Sequence, residues 1–160
     1  MNRETLSKFI LGASMTIAMS CGVSSGPTAS VQTSIGPVVL SDNGCTFAGP
    51  SQIGSGRVAM KMTNQTKAQF NLDLWKLDEG HTFSELDAHI KEEQRRAAAG
   101  EPELGHPSFA ALLAQESVAS GTEVKNISTL TPGTYGFVCI AFVTSGPGAI
   151  WLAGPLSVVG

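Results

Sequence analysis

The sequence predicts a mainly β protein, a sandwich carrying one α-helical insertion at about residues 82–117. Three observations carry this reading. Short segments alternate apolar and polar residues, as a strand with one covered face must. Eighteen glycines and eight prolines are spread along the chain as turn punctuation. One stretch after Thr82 breaks the period of two and takes up helical spacing instead.

The elements follow in order. From Arg57 to Asn64, Val58, Met60 and Met62 fall on one face, with Arg57, Lys61 and Thr63 on the other. After a turn over Asn64 to Lys67, Phe70, Leu72 and Leu74 face inward while Asn71, Asp73 and Trp75 share the opposite face. Thr82 and Glu85 form a capping box, in which each side chain satisfies a backbone donor of the other at the first helical turn. Phe83, Leu86 and Ile90 then align on one helix face. Arg95 and Arg96 suit the negative end of the macrodipole, and Gly100 with Pro102 ends the run. A shorter helical piece is expected from Ser108, carrying Phe109, Leu112 and Leu113. Thr131 to Thr134, with Pro132 and Gly133 at its centre, reads as a type II turn. Tyr135 to Val143 is apolar on both faces and reads as a central strand. Leu156, Val158 and Val159 form the last strand, with Pro155 at its start.

Residues 1–20 have the three parts of an export signal. Arg3 and Lys8 make a basic start, Phe9 to Met19 is a short apolar core, and Ala18, Met19 and Ser20 offer a small-residue cleavage region. The core is shorter than the roughly 20 apolar residues of a bilayer span, and no later segment approaches that length. Residues 18–20 before Cys21 also resemble the lipobox of bacterial lipoproteins, apart from Ala18, where that family usually has Leu. Cys21 is accordingly expected to be lipidated and to anchor the chain to a membrane, followed by a chargeless Ser/Gly/Thr-rich linker over 21–36 and one domain over 37–160. The alternative is a secreted or periplasmic soluble protein with an ordinary thiol at Cys21. Three cysteines are an awkward number in an oxidising compartment. Assigning Cys21 to lipid leaves Cys45 and Cys139 as a disulfide pair, with two separate buried thiols as the alternative.

Composition excludes some classes of function. A net charge of −3 without a Lys/Arg run gives no footprint for nucleic acid. No nucleophile elbow, phosphate loop, dinucleotide fingerprint or His-Glu-x-x-His occurs, so no cofactor and no enzymatic activity is expected. Glu85, His89 and Glu93 recur at i, i+4 and i+8, which suits either a divalent metal or a solvated helix face. His81 and His106 are loop residues that could meet. Trp75 is a candidate ligand contact if a groove opens beside it, and a core residue if the helical insertion covers it.

Two local motifs resemble the cupredoxin-like Greek-key β-sandwich over roughly 38–160. Leu130, Pro132, Gly133, Tyr135 and Cys139 look like the turn and strand leading to that family's cysteine ligand. Met62 to Asn64, followed by Phe70, Asn71 and Leu72, looks like the segment in which copper-binding members have Asn, a turn and then His-Asn-aliphatic. An immunoglobulin-like sandwich is the competing fold. Phe70 stands where the first histidine would be, and neither His nor Met follows Cys139. The resemblance thus implies the fold without type 1 copper, which needs two imidazoles and a thiolate. The resulting expectation is a membrane-anchored lipoprotein of the cell envelope, with a metal-free domain that binds a protein or small ligand or serves as a structural module. The alternative is metal or redox chemistry at Cys139, His81, His89 and His106.

Overall fold

The computed structural model describes residues 33–142 and 148–160. The signal peptide, Cys21 and the linker up to residue 32 lie outside the described residues. The strands are β1 (Thr33–Ser41), β2 (Gly44–Phe47), β3 (Gln52–Gly54), β4 (Gly56–Asn64) and β5 (Gln69–Leu77), followed after helix α1 (Phe83–Ala99) by β6 (Ala110–Val118), β7 (Glu123–Leu130), β8 (Gly133–Phe142) and β9 (Ile150–Val159). They form two sheets, ordered β2-β1-β4-β7 and β3-β9-β8-β5-β6. The chain crosses repeatedly between sheets, which packs them face to face as a sandwich. β1 begins at Thr33, four residues before the domain's expected start, and Ile35 is already in the core.

Alternation in the sequence sets what fills the sandwich. Val58, Met60 and Met62 of β4 are buried against Phe70, Leu72 and Leu74 of β5, together with Tyr135, Phe137 and Cys139 of β8. Asn64, at the end of β4, is buried with its polar atoms satisfied. Its Nδ2 donates to the carbonyls of Ala68 (2.8 Å) and Val118 (3.0 Å), while Oδ1 accepts from Thr66 N–H (2.9 Å) and Oγ1 (2.8 Å). This one amide holds the β4–β5 turn, as a short polar side chain can where it mimics backbone.

The five-stranded sheet is covered on its outer face too. Trp75 and Leu77 of β5 and Val138 of β8 pack with Leu86 and Ile90 of α1. The helix starts as its capping box requires: Thr82 N–H donates to Glu85 Oε2 (2.6 Å) and Glu85 N–H to Thr82 Oγ1 (3.3 Å). Gly100 ends it in the left-handed conformation, at φ 68°. Close approach depends on Gly136, where a Cβ would lie 2.9 Å from Leu86 Cδ2 and 3.2 Å from Phe83 Cε2.

Three local expectations are corrected. The piece after Ser108 is the edge strand β6, paired along β5 from Leu77↔Ala110 to Phe70↔Val118, so the helical insertion ends at Ala99. The backbone groups on that edge of β5 need partners, and a long ladder outweighs local helix propensity. The register shifts between Leu74↔Ala114 and Trp75↔Leu112, which leaves Leu113 as the extra residue of a bulge. Pro155 lies inside β9 and not at its start. Tyr135 pairs with Leu156 and Phe137 with Ala153, so Gly154 and Pro155 together face Gly136 at a break in the ladder, where a missing N–H is tolerated. Gly133 opens β8 at φ 150°, far from the roughly +80° of a type II turn. That loop is closed by the Tyr135 hydroxyl, which accepts from Thr131 N–H (3.1 Å) and donates to Thr131 C=O (2.7 Å).

Cys45 and Cys139 are bonded, joining β2 of one sheet to β8 of the other across a Cα separation of 6.3 Å. The bridge closes a loop with a sequence separation of 94. Replacing both cysteines by alanine should lower the unfolding free energy by about 4–5 kcal/mol through the freed chain entropy, measured by urea denaturation of the mature domain.

Candidate functional site

The end of the sandwich where the resemblance would place a metal does not fit type 1 copper. The Cys139 sulfur is bonded to Cys45 and is not available as a thiolate. Phe70 is buried in the core and stacks on Trp151, with ring centroids 5.6 Å apart. An aromatic pair thus occupies the place of imidazole, and the chain after Cys139 supplies neither His nor Met. Among the described residues, no cluster of three or more His, Cys, Asp or Glu side chains is arranged to hold a metal ion.

The helix face of Glu85, His89 and Glu93 is divided among separate tasks. Glu85 serves the cap, and the hydrogen bonds from Thr82 hold its carboxyl below the usual glutamate range. His89 Nε2 donates to the Gly105 carbonyl (2.8 Å), and Glu93 Oε2 accepts from Leu104 N–H (2.7 Å). Both side chains therefore fasten the returning segment beside the helix. His81 stacks on Phe109 at 4.9 Å, while the His106 and Trp75 rings meet perpendicular with centroids 4.9 Å apart, so the two loop histidines serve different rings.

That fastened segment makes a pocket. A cavity of about 240 Å³ lies between α1, residues 103–107 and the outer face of β5, β8 and β9. Its apolar wall includes Val138, Ile140 and Ile150, and its polar groups are Asp73, Trp75, His89, Glu93, Glu103 and His106. Trp75 is covered by the helical insertion and also borders the pocket. It is only 4% exposed beneath the helical insertion, yet it lines the pocket, and its Nε1 has no hydrogen-bond partner among the described residues. A buried donor left unpaired is uncommon enough to require a reason.

Asp73, two residues earlier on β5, lies beside the indole and is 3% exposed. Gln115 Nε2 donates to its Oδ1 at 2.8 Å. Burial pushes the Asp73 carboxyl above the ordinary aspartate range, opposed by the Gln115 bond, the charge of His106 and the neighbouring Trp75 N–H. The indole is close enough to favour the carboxylate but closes no hydrogen bond to it. The sequence reading placed Asp73 beside Trp75 by alternation without assigning it a role, because its partner Gln115 is 42 residues away in the chain. A larger cleft of about 340 Å³ runs between β2 and α1 past Trp151. Its charged pair, Lys91 and Asp87, is internally satisfied at 2.6 Å.

Sheets of four and five strands, with a helix inserted after the fifth strand and a cysteine strand at the centre of the larger sheet, make the β-sandwich with a helical insertion that the sequence predicted. The fold is a two-sheet β-sandwich with one helix. No protein-family model and no curated protein matches the chain. Among solved structures, auracyanin from Roseiflexus castenholzii is similar at 20% identity and TM-score 0.43, covering 80% of this chain and 98% of its own. The blue copper protein auracyanin A from Chloroflexus aurantiacus is 16% identical at TM-score 0.44, over 81% of this chain and 100% of that one. An azurin from Methylomonas sp. strain J is 14% identical at TM-score 0.41, over 82% and 100%.

The raised pKa of Asp73 has a definite sign for stability. A carboxyl that ionises less readily when folded favours the fold most below its unfolded pKa, and that contribution is lost as pH rises through the folded pKa. The stability of Asp73→Asn relative to the native domain should therefore increase as pH climbs from below the reference value of 3.8. Urea midpoints of both proteins across a pH series would measure the trend, and a pH-independent difference would contradict it.

Proposed function

We propose that the chain is an exported lipoprotein, anchored by Cys21, whose cupredoxin-like domain binds a small ligand in the pocket beside Trp75 and holds no type 1 copper. The cavity bordered by buried Trp75 and Asp73 carries this reading. Small-molecule sites combine an apolar wall with a few convergent polar groups, and this pocket has both. No Ser, Thr or Cys lines it to act as a nucleophile, which favours binding over covalent catalysis. The Cys45–Cys139 bridge suits an oxidising compartment outside the cytoplasm. Among the described residues no helix is long and apolar enough to cross a membrane, so in this reading anchoring falls to the lipid. The pocket supports ligand binding over a purely structural role in this reading.

Two measurements test the parts separately. Mass spectrometry of the membrane-extracted protein should find acylated Cys21 at the mature N-terminus and no free thiol. An unmodified Cys21, or two reactive thiols with a visible thiolate-to-copper band on adding Cu(II), would overturn the lipoprotein or copper-free reading respectively. For binding, a fragment library is scored by movement of the Trp75 indole N–H resonance, assigned by its loss in Trp75→Phe. Hits that shift it are expected; a library that leaves it unmoved would reduce the domain to a structural module.

A further inference from the structure

The helix face of His89 and Glu93 holds a segment that the sandwich itself does not bond. Between Pro102 and His106 no backbone group is hydrogen-bonded to another backbone group among the described residues. The stretch hangs instead on three side chains of α1. Arg96 Nη1 donates to the Pro102 carbonyl (3.4 Å), Glu93 Oε2 accepts from Leu104 N–H (2.7 Å), and His89 Nε2 donates to the Gly105 carbonyl (2.8 Å). Every residue from Glu101 to His106 is exposed. The ends are firmer. On one side the N–H groups of Gly100 and Glu101 close onto the carbonyls of Ala97 and Arg96; on the other Pro107 is buried, and its carbonyl accepts from Ala110 N–H where β6 begins.

A segment bonded only to side chains comes away by breaking a few exposed hydrogen bonds, each worth roughly two- to tenfold in an opening equilibrium, and leaves the ladders of both sheets intact. Beneath it lies the cavity of about 240 Å³, to whose lining it contributes Glu103, Gly105 and His106. His106 carries its contact with the sheet, the imidazole standing perpendicular to the Trp75 ring. Gly105 sits at φ 77°, a conformation that glycine adopts at little cost. We infer that residues 102–106 are a lid over this cavity, latched to α1 by His89 and Glu93 and held at its ends by the Gly100 cap and the buried Pro107. Its opening admits solvent and ligand to the space beside Trp75. As a route for ligand the lid rests on the binding reading; as a local opening it stands without it.

Native-state hydrogen exchange, followed by NMR on the disulfide-bonded mature domain, reads the opening at two protons. One is Leu104 N–H, bonded to the latch; the other is Trp75 Nε1–H, which is buried without a partner and exchanges only when water reaches it. Both should exchange at rates that low urea concentrations leave unchanged. Amides of the β5–β8 ladder should exchange more slowly and with a urea dependence, as groups released by global unfolding do. Glu93→Ala should speed both reporter protons about fivefold, and Glu93→Gln, which keeps an acceptor oxygen, should restore most of the protection. Gly105→Ala loosens the lid from its own side, because an added Cβ meets nothing within 4 Å there while alanine is strained at that φ. It should act in the same direction, so a shared response separates the lid from an effect on the helix. Indole exchange that follows the urea dependence of the ladder, or that neither Glu93→Ala nor Gly105→Ala changes, would overturn the lid. Acceleration of Leu104 alone would overturn it equally, as fraying that leaves the cavity covered. The fragment library decides the binding reading separately, so either can fail without the other.

Discussion

Leu86 lies fully buried between α1 and the outer face of the larger sheet, opposite the bare backbone of Gly136. That contact fixes how deep the helix sits, and the depth decides the character of everything beneath it. Burying Leu86 and Ile90 against Trp75, Leu77 and Val138 contributes on the order of 2 kcal/mol for each large side chain removed from water, which is what makes the helix part of the domain. The same covering removes Asp73 and the indole N–H of Trp75 from solvent, where neither is comfortable. Apolar cover and polar discomfort have one cause. The pocket lies where the helix cover gives way to residues 103–107, which His89 and Glu93 fasten beside the helix.

The cysteine of β8 serves a different end in this sandwich from the one its position suggests. A thiolate ligand would need an accessible sulfur with imidazoles around it; here the sulfur ties the two sheets together through β2, and Phe70 stacked on Trp151 packs the space nearby. The inner core around the bridge is apolar, and the buried Asp73 lies on the outer face of the same sheet. β8 serves both, with Tyr135, Phe137 and Cys139 pointing into the core and Val138 and Ile140 pointing toward the helix and pocket.

How much of this can be read from the chain depends on the range of the interaction that decides each element. β4, β5 and α1 are legible because period-two alternation and a capping box act within a few residues. The Ala110–Val118 segment reads as helix because Ala and Leu favour it locally, and only the open edge of β5, more than thirty residues upstream, makes it a strand. Pro155 fits inside β9 because Gly136 on the neighbouring strand lets the ladder break, which no local rule reveals. Trp75 stands out by size, and the two readings of it could not be separated because burial and pocket depend on a helix packing from a distance. Asp73 takes its meaning from Gln115 and His106, both brought in by the chain after the helix.

The direction of β1 has a mechanical consequence. It runs parallel to β4 from Thr33↔Val58 to Leu40↔Asn64 and is also held by β2, while Leu130 of β7 pairs with Gly56 at the Thr33 end. A pull on the backbone ahead of Thr33 therefore acts along the strand. Such a load shears the ladder bonds together instead of opening them one at a time, the geometry in which a sheet resists force best. The disulfide, through Cys45 opposite Leu40 near the far end of β1, ties this ladder to the second sheet.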